Sequence, residues 1–148
     1  MKRSRLKVLV VERETAVAAA VSATLRGAGH QVTTAARAEE ALGFHAADVI
    51  VCAVELDGMD GLELLETLRR RGQSLRAVLT TALPNLEDCR RALRLGAAEL
   101  LVKPLDPSEL VSAVAGGSPP DARPLRAPPP RLRAPPRPPA PAAPPPRA

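Results

Sequence analysis

Five short apolar runs, each followed by a stretch with helical spacing, constrain this chain more than any other feature. The runs are residues 6–11 (LKVLVV), 31–35 (QVTTA), 48–54 (DVIVCAV), 76–81 (RAVLTT) and 99–102 (ELLV). Valine-rich and mostly near-continuous in their apolar character, they read as strands covered on both faces. After the first run, Val17, Ala20, Val21, Thr24, Leu25 and Ala28 recur at spacings of three and four, and Gly27 and Gly29 end the helix. Further helices are predicted over 38–45, with Ala41, Leu42 and His45 inward, and over 62–71, with Leu62, Leu65 and Leu68 on one side and Gly72 closing it. Another is predicted over 86–95, with Asn85 as N-cap and Gly96 just past its end. The last opens at Asp106-Pro107-Ser108-Glu109, where Asp106 can cap, Pro107 suits the first turn and Glu109 can complete a capping box. Strand and helix alternating five times call for a parallel sheet with helices on both faces.

Composition divides the chain in two. Of 17 prolines, three lie before residue 116 and the other 14 follow. Residues 1–115 carry 15 basic and 15 acidic side chains, whereas residues 116–148 carry six arginines against one aspartate. The net charge of +5 therefore belongs to the tail. We predict a folded unit over 1–115 and a disordered, polyproline-biased Pro/Arg/Ala-rich tail over 116–148, which has too few large apolar residues to bury a core. The tail reads as a spacer; its Pro135-Pro136-Arg137-Pro138-Pro139 spacing also suits an aromatic groove. Having no aromatics among its arginines, it lacks stacking groups for single-stranded nucleic acid, and a neutral folded part gives no footprint for nucleic acid elsewhere. The opening MKRSRLKVLVV imitates a signal peptide, but the apolar run is short and Glu12-Arg13-Glu14 follows it. With no run near the ~20 residues of a membrane span, a cytoplasmic protein is expected. Cys52 and Cys89 form no metal-ligand pair and read as reduced structural residues; His30 and His45 fit no ligand spacing. Phe44, the one aromatic, is expected in the core.

The chemistry should lie at the third strand. Residues 48–61 (DVIVCAVELDGMDG) leave an apolar strand for an acidic, glycine-punctuated loop, and loops at the carboxyl ends of parallel strands are where open α/β sheets place their sites. This stretch, with VLVV before acidic residues, LTTA closing the fourth strand and LVKP after GAAE closing the fifth, resembles the bacterial response-regulator receiver domain across residues 6–115. The resemblance implies a flavodoxin-like α/β fold, a five-stranded parallel sheet in the order 2-1-3-4-5. It also implies a phosphoacceptor aspartate at the end of the third strand, and magnesium held by that aspartate, two acidic residues after the first strand and a backbone carbonyl two residues past the acceptor.

The matching positions here are altered. The acceptor position is Ala53, the two acidic positions are Glu12 and Arg13, and the carbonyl is that of Glu55. The expected local charge of −3 becomes zero. Thr81 matches the hydroxyl that would bond a phosphoryl oxygen, and Lys103 the lysine that would pair with it; Pro104 is expected to follow a cis bond as in the family. The family's switch aromatic falls at Leu100, which has no ring to rotate. Glu55 is expected to turn to the face opposite Ala53, and Asp57 and Asp60 to lie beyond the strand in a solvated loop, so none of the three is placed as a substitute acceptor. Without a phosphoryl group, Glu12 can pair with Lys103 and Arg13 with Asp57; a pocket for another ligand remains the competing reading.

The resemblance therefore reads as a degenerate, pseudo-receiver type. We expect a stand-alone signalling module that binds no cofactor, has lost magnesium, is not an enzyme and works by contact with a protein such as a kinase, regulator or scaffold. Arg90, Arg91 and Arg94 on the fourth helix mark the surface that receiver domains commonly use for partners, or an ordinary solvated face. The alternatives are an atypical phosphoacceptor using another carboxylate, and a small-anion sensor built on Arg13, Thr81 and Lys103.

Overall fold

A computed structural model describes residues 5–44 and 46–116. Strands β1 (Lys7–Val11), β2 (Gln31–Ala35), β3 (Val49–Ala53), β4 (Arg76–Thr81) and β5 (Glu99–Val102) alternate with helices α1 (Thr15–Gly27), α2 (Ala38–Ala41), α3 (Gly61–Arg70), α4 (Leu86–Arg94) and α5 (Pro107–Ala115). All four strand pairings are parallel, in the order β2-β1-β3-β4-β5. This is the flavodoxin-like arrangement predicted above.

The apolar strands fill two cores because successive residues face opposite sides of a strand. Val8, Val10, Val49, Val51 and Val78 pack beneath Val21 and Leu25 of α1 and Leu110, Ala113 and Val114 of α5. Leu9, Val11, Ile50, Cys52, Ala77 and Leu79 face the other way, onto Ala38 and Ala41 of α2 and onto Leu62, Leu64, Leu65 and Leu68 of α3. Every residue of β3 is buried, as a central strand covered on both faces requires.

Local chemistry sets the helix ends. Asn85 caps α4 by accepting from the Asp88 N–H at 2.8 Å. Asp60 caps α3 by accepting from the Glu63 N–H at 2.8 Å, and the Glu63 carboxylate accepts from the Asp60 N–H at 2.9 Å, a capping box that the sequence reading left as solvated loop. Asp106 caps α5 as predicted, accepting from the Ser108 N–H at 2.9 Å, and the Ser108 hydroxyl adds a second donor to the same oxygen at 3.0 Å, in place of the box expected with Glu109. These bonds hold the Asp106 carboxyl below its usual value.

Helix α2 stops at Ala41, not at residue 45. Glu40, which accepts from the Ala36 N–H at 2.8 Å, spends its carboxylate on the helix start, and Gly43 follows two residues after the end. Ala41 is buried and Leu42 half-buried, as expected; His45 lies outside the described residues. Because the helix ends early, Phe44 is not in the core. It is 37% exposed and borders an open cavity of about 650 Å³ together with Arg5, Lys7, Arg26 and His30. The predicted tail also falls outside the described residues, apart from Gly116 at its start.

Two further contacts fix the frame. The Arg69 guanidinium of α3 donates to the carbonyls of Leu95, Gln73, Leu75 and Gly96 at 2.8–3.2 Å, tying the end of α3 to the loops before β4 and β5. A Cβ on Gly61, the first residue of α3, would meet the Ala53 carbonyl oxygen at 2.2 Å, so only glycine lets this helix start so close to the end of β3.

Candidate functional site

The carboxyl ends of β1, β3, β4 and β5 bring Glu12, Arg13, Ala53, Glu55, Thr81 and Lys103 to one end of the sheet. Ala53 closes β3 and is 1% exposed, between Cys52 and Val54, which are themselves buried. Burial pushes the Cys52 thiol far above its ordinary value, and the Glu12 and Asp60 carboxylates add to that, so it sits as a neutral thiol. Cys52 and Cys89 are both free.

Both anticipated ion pairs form. Lys103 Nζ lies 2.8 Å from Glu12 Oε1, with both side chains largely withdrawn from solvent, and Glu12 Oε2 accepts from the Glu14 N–H at 3.2 Å. The only carboxylate among the three positions matched to metal-holding acids thus has both oxygens engaged. Arg13 Nη1 lies 2.9 Å from Asp57 Oδ1 in a more exposed pair that bridges the loops after β1 and β3. Lys103 is joined to Pro104 by a cis peptide bond, as the resemblance implied.

Glu55 overturns its expected placement. Two residues past Ala53 it belongs to the same face, not the opposite one, since side chains alternate with a period of two. β3 has also ended, and the Val54 N–H donates to the Thr80 carbonyl at 2.8 Å, keeping the outgoing chain beside β4. From there the Glu55 carboxylate reaches across: Oε2 accepts from the Thr81 hydroxyl and Oε1 from the Ala82 N–H at 3.1 Å. Partial burial raises its carboxyl pKa, but the bonds from Thr81 and Ala82 and the nearby Lys103 outweigh that and leave it below the ordinary value. Thr81, fully buried, therefore faces a carboxylate of the chain's own.

The positions assigned to a partner face separate. Arg90 and Arg94 are exposed on α4, whereas Arg91 turns back to Glu66 of α3 at 3.5 Å. Leu100 is half-buried against the core. The sequence reading missed the leucines here. Leu83, Leu86 and Leu93 are 69%, 68% and 75% exposed, and Val102 on β5 is 49% exposed. The signal was present: Leu86 and Leu93 stand seven apart, on one side of a helix whose other side buries Ala92.

Among the described residues no helix is long and apolar enough to cross a membrane.

The response regulator receiver domain family model matches residues 8–115. Response regulator protein FleR of Pseudomonas aeruginosa is 38% identical over 112 residues, covering 74% of this chain and 24% of FleR. Regulator of RpoS of Escherichia coli is 32% identical over 102 residues, covering 67% of this chain and 30% of that protein. The chain thus spans about a quarter to a third of the length of these relatives. Among solved structures, chemotaxis protein CheY4 of Vibrio cholerae superposes with a TM-score of 0.70 at 31% identity, over 75% of this chain and 97% of CheY4. A receiver domain of Methanospirillum hungatei gives 0.72 at 26% identity, over 76% and 93%. With the family model covering the sheet and all five helices that the sequence pattern and the fold had marked out, the chain belongs to the response regulator receiver domain family.

Proposed function

We propose that this receiver domain signals through protein contact, without accepting a phosphoryl group, without magnesium and without an enzymatic activity of its own. The observation that carries the reading is the partnering at the carboxyl end of the sheet. Glu12 is spent on Lys103, Arg13 on Asp57 and Thr81 on Glu55, around an alanine that has no nucleophilic oxygen. A divalent cation needs several oxygen ligands, and the donor set does not fit one: Arg13 and Ala53 supply none, and Glu12 is neutralised by an ammonium 2.8 Å away. Contact with a protein is supported by the exposed leucines of α4, flanked by the cations Arg90 and Arg94.

The test combines phosphodonor labelling with metal titration. After incubation with acetyl phosphate and magnesium, intact-mass measurement should find no added phosphate, and calorimetry should find no magnesium binding. Phosphate recovered on Glu55, Asp57 or Asp60 would establish the atypical-acceptor alternative and overturn the proposal. Saturable heat from inorganic phosphate would favour the anion sensor instead.

A further inference from the structure

We propose that Glu55 is a built-in latch: its carboxylate fills the seat formed by the Thr81 hydroxyl and the Ala82 N–H, and so holds the β4–α4 loop and the exposed leucine edge of α4 in one arrangement. The inference rests on reading α4 as a contact surface but concerns how that surface is set.

Three consecutive residues are bound into one relay. The Thr81 hydroxyl donates to Glu55 Oε2, the Ala82 N–H donates to Glu55 Oε1 at 3.1 Å, and Thr81 Oγ accepts from the Leu83 N–H at 3.0 Å. The hydroxyl uses its single proton on Glu55 and a lone pair on Leu83, so orienting one orients the other. Two residues on, Asn85 caps α4, and its side chain also donates to Leu83 O at 3.4 Å and to Asp88 Oδ2 at 3.0 Å. The path from Glu55 to the first turn of α4 is therefore continuous through hydrogen bonds, and Leu83 and Leu86 lie along it.

The near side is also fixed. The Val54 N–H bond to Thr80 O places the segment leaving β3 against β4, and the Gly61 N–H donates to Val54 O at 3.0 Å, anchoring the far end of the loop that carries Glu55. Behind the seat, the Lys103 N–H donates to Thr81 O at 2.8 Å, so the Thr81 backbone is held while its side chain points to Glu55. A carboxylate suits this seat because it offers two acceptors and no donor to two converging donors.

The experiment is amide hydrogen exchange and nitrogen–proton correlation spectroscopy on the full chain, comparing the natural protein with Glu55→Ala, Glu55→Gln and Thr81→Ser. In Glu55→Ala the Ala82 and Leu83 amides should exchange at least about tenfold faster, and the Leu86 and Arg90 amide signals should shift, while α1 and α5 keep their protection as evidence of an intact fold. Glu55→Gln, which keeps one acceptor, should fall between, and Thr81→Ser, which keeps the hydroxyl, should stay near the natural protein. Unchanged exchange at Ala82 and Leu83 in Glu55→Ala would overturn the latch. A change confined to Ala82 and Leu83, with α4 signals unmoved, would overturn its link to the leucine edge. Either failure leaves the phosphodonor result standing, and phosphate labelling at Asp57 or Asp60 would overturn the proposed function while leaving the exchange pattern of the unlabelled variants as it is.

Discussion

Helices α3 and α4 are nearly equal in length and pack beside one core, yet they treat their leucines in opposite ways. α3 buries Leu62, Leu64, Leu65 and Leu68, each no more than 2% exposed. α4 buries Ala92 alone and turns Leu86 and Leu93 to solvent. Helical spacing identifies both as helices, but it does not say which side the sheet will claim. A small residue at the contact lets α4 lie on the core while its larger side chains stand outside it. Apolar area left open in this way is a cost to solubility, and it is most simply understood as surface kept for another molecule.

The same substitution on the two helices should separate them most widely. Leu65→Ala is expected to cost about 3 kcal/mol, from lost burial and a residual cavity, whereas Leu93→Ala should stay within about 0.5 kcal/mol. Urea denaturation of both variants measures this. A comparable loss at Leu93 would mean that the α4 edge is already covered and that the contrast is false.

Arg69 probes how the two helices are joined. Arg69→Met keeps the stem but strips the donor from four carbonyls at the end of α3 and in the loops before β4 and β5. Stability should fall by about 2 kcal/mol, with Arg69→Lys in between. A change below ~0.5 kcal/mol would indicate that water serves those carbonyls as well as the guanidinium does.

The smallest effect belongs to Glu55, which links the loops that enter α3 and α4. Its folded carboxyl lies below the ordinary value. Its contribution is thus fully present above the unfolded-state value of about 4.3 and is lost as pH falls through the folded value. The Glu55→Gln protein should therefore lose less stability than the natural protein between pH 6 and acid conditions, as read from urea midpoints. Parallel pH curves for the two would show that Thr81 and Ala82 do not favour the charged form.

Much of this was legible beforehand for identifiable reasons. Valine-rich runs and punctuating glycines placed all five strands to within a residue or two, and Asn85 and Asp106 marked their caps because side-chain acceptors there have a local partner. The Glu12–Lys103 and Arg13–Asp57 pairs followed from charge balance at positions whose spatial grouping came from the resemblance. What escaped was set by tertiary context. Phe44 left the core because α2 ended a turn early. Glu55 was misplaced through an error in strand alternation, and its partners Thr81 and Ala82 lie 26 and 27 residues away in sequence. Arg69 is the first of three consecutive arginines and was given no role, because its targets are backbone carbonyls that carry no sequence signature.

The Glu12–Lys103 pair has a consequence for how the chain is assembled. Its partners are 91 residues apart, and they stand at the ends of β1 and β5, with β3 and β4 between those strands in the sheet. Closing a loop of that length for this contact alone is costly in entropy, and the pairing of β1 with β3, β3 with β4 and β4 with β5 meets that cost in shorter steps. A contact that is absent from the folding transition state slows unfolding without speeding folding, so we expect Lys103→Met to raise the unfolding rate and leave the refolding rate near that of the natural protein.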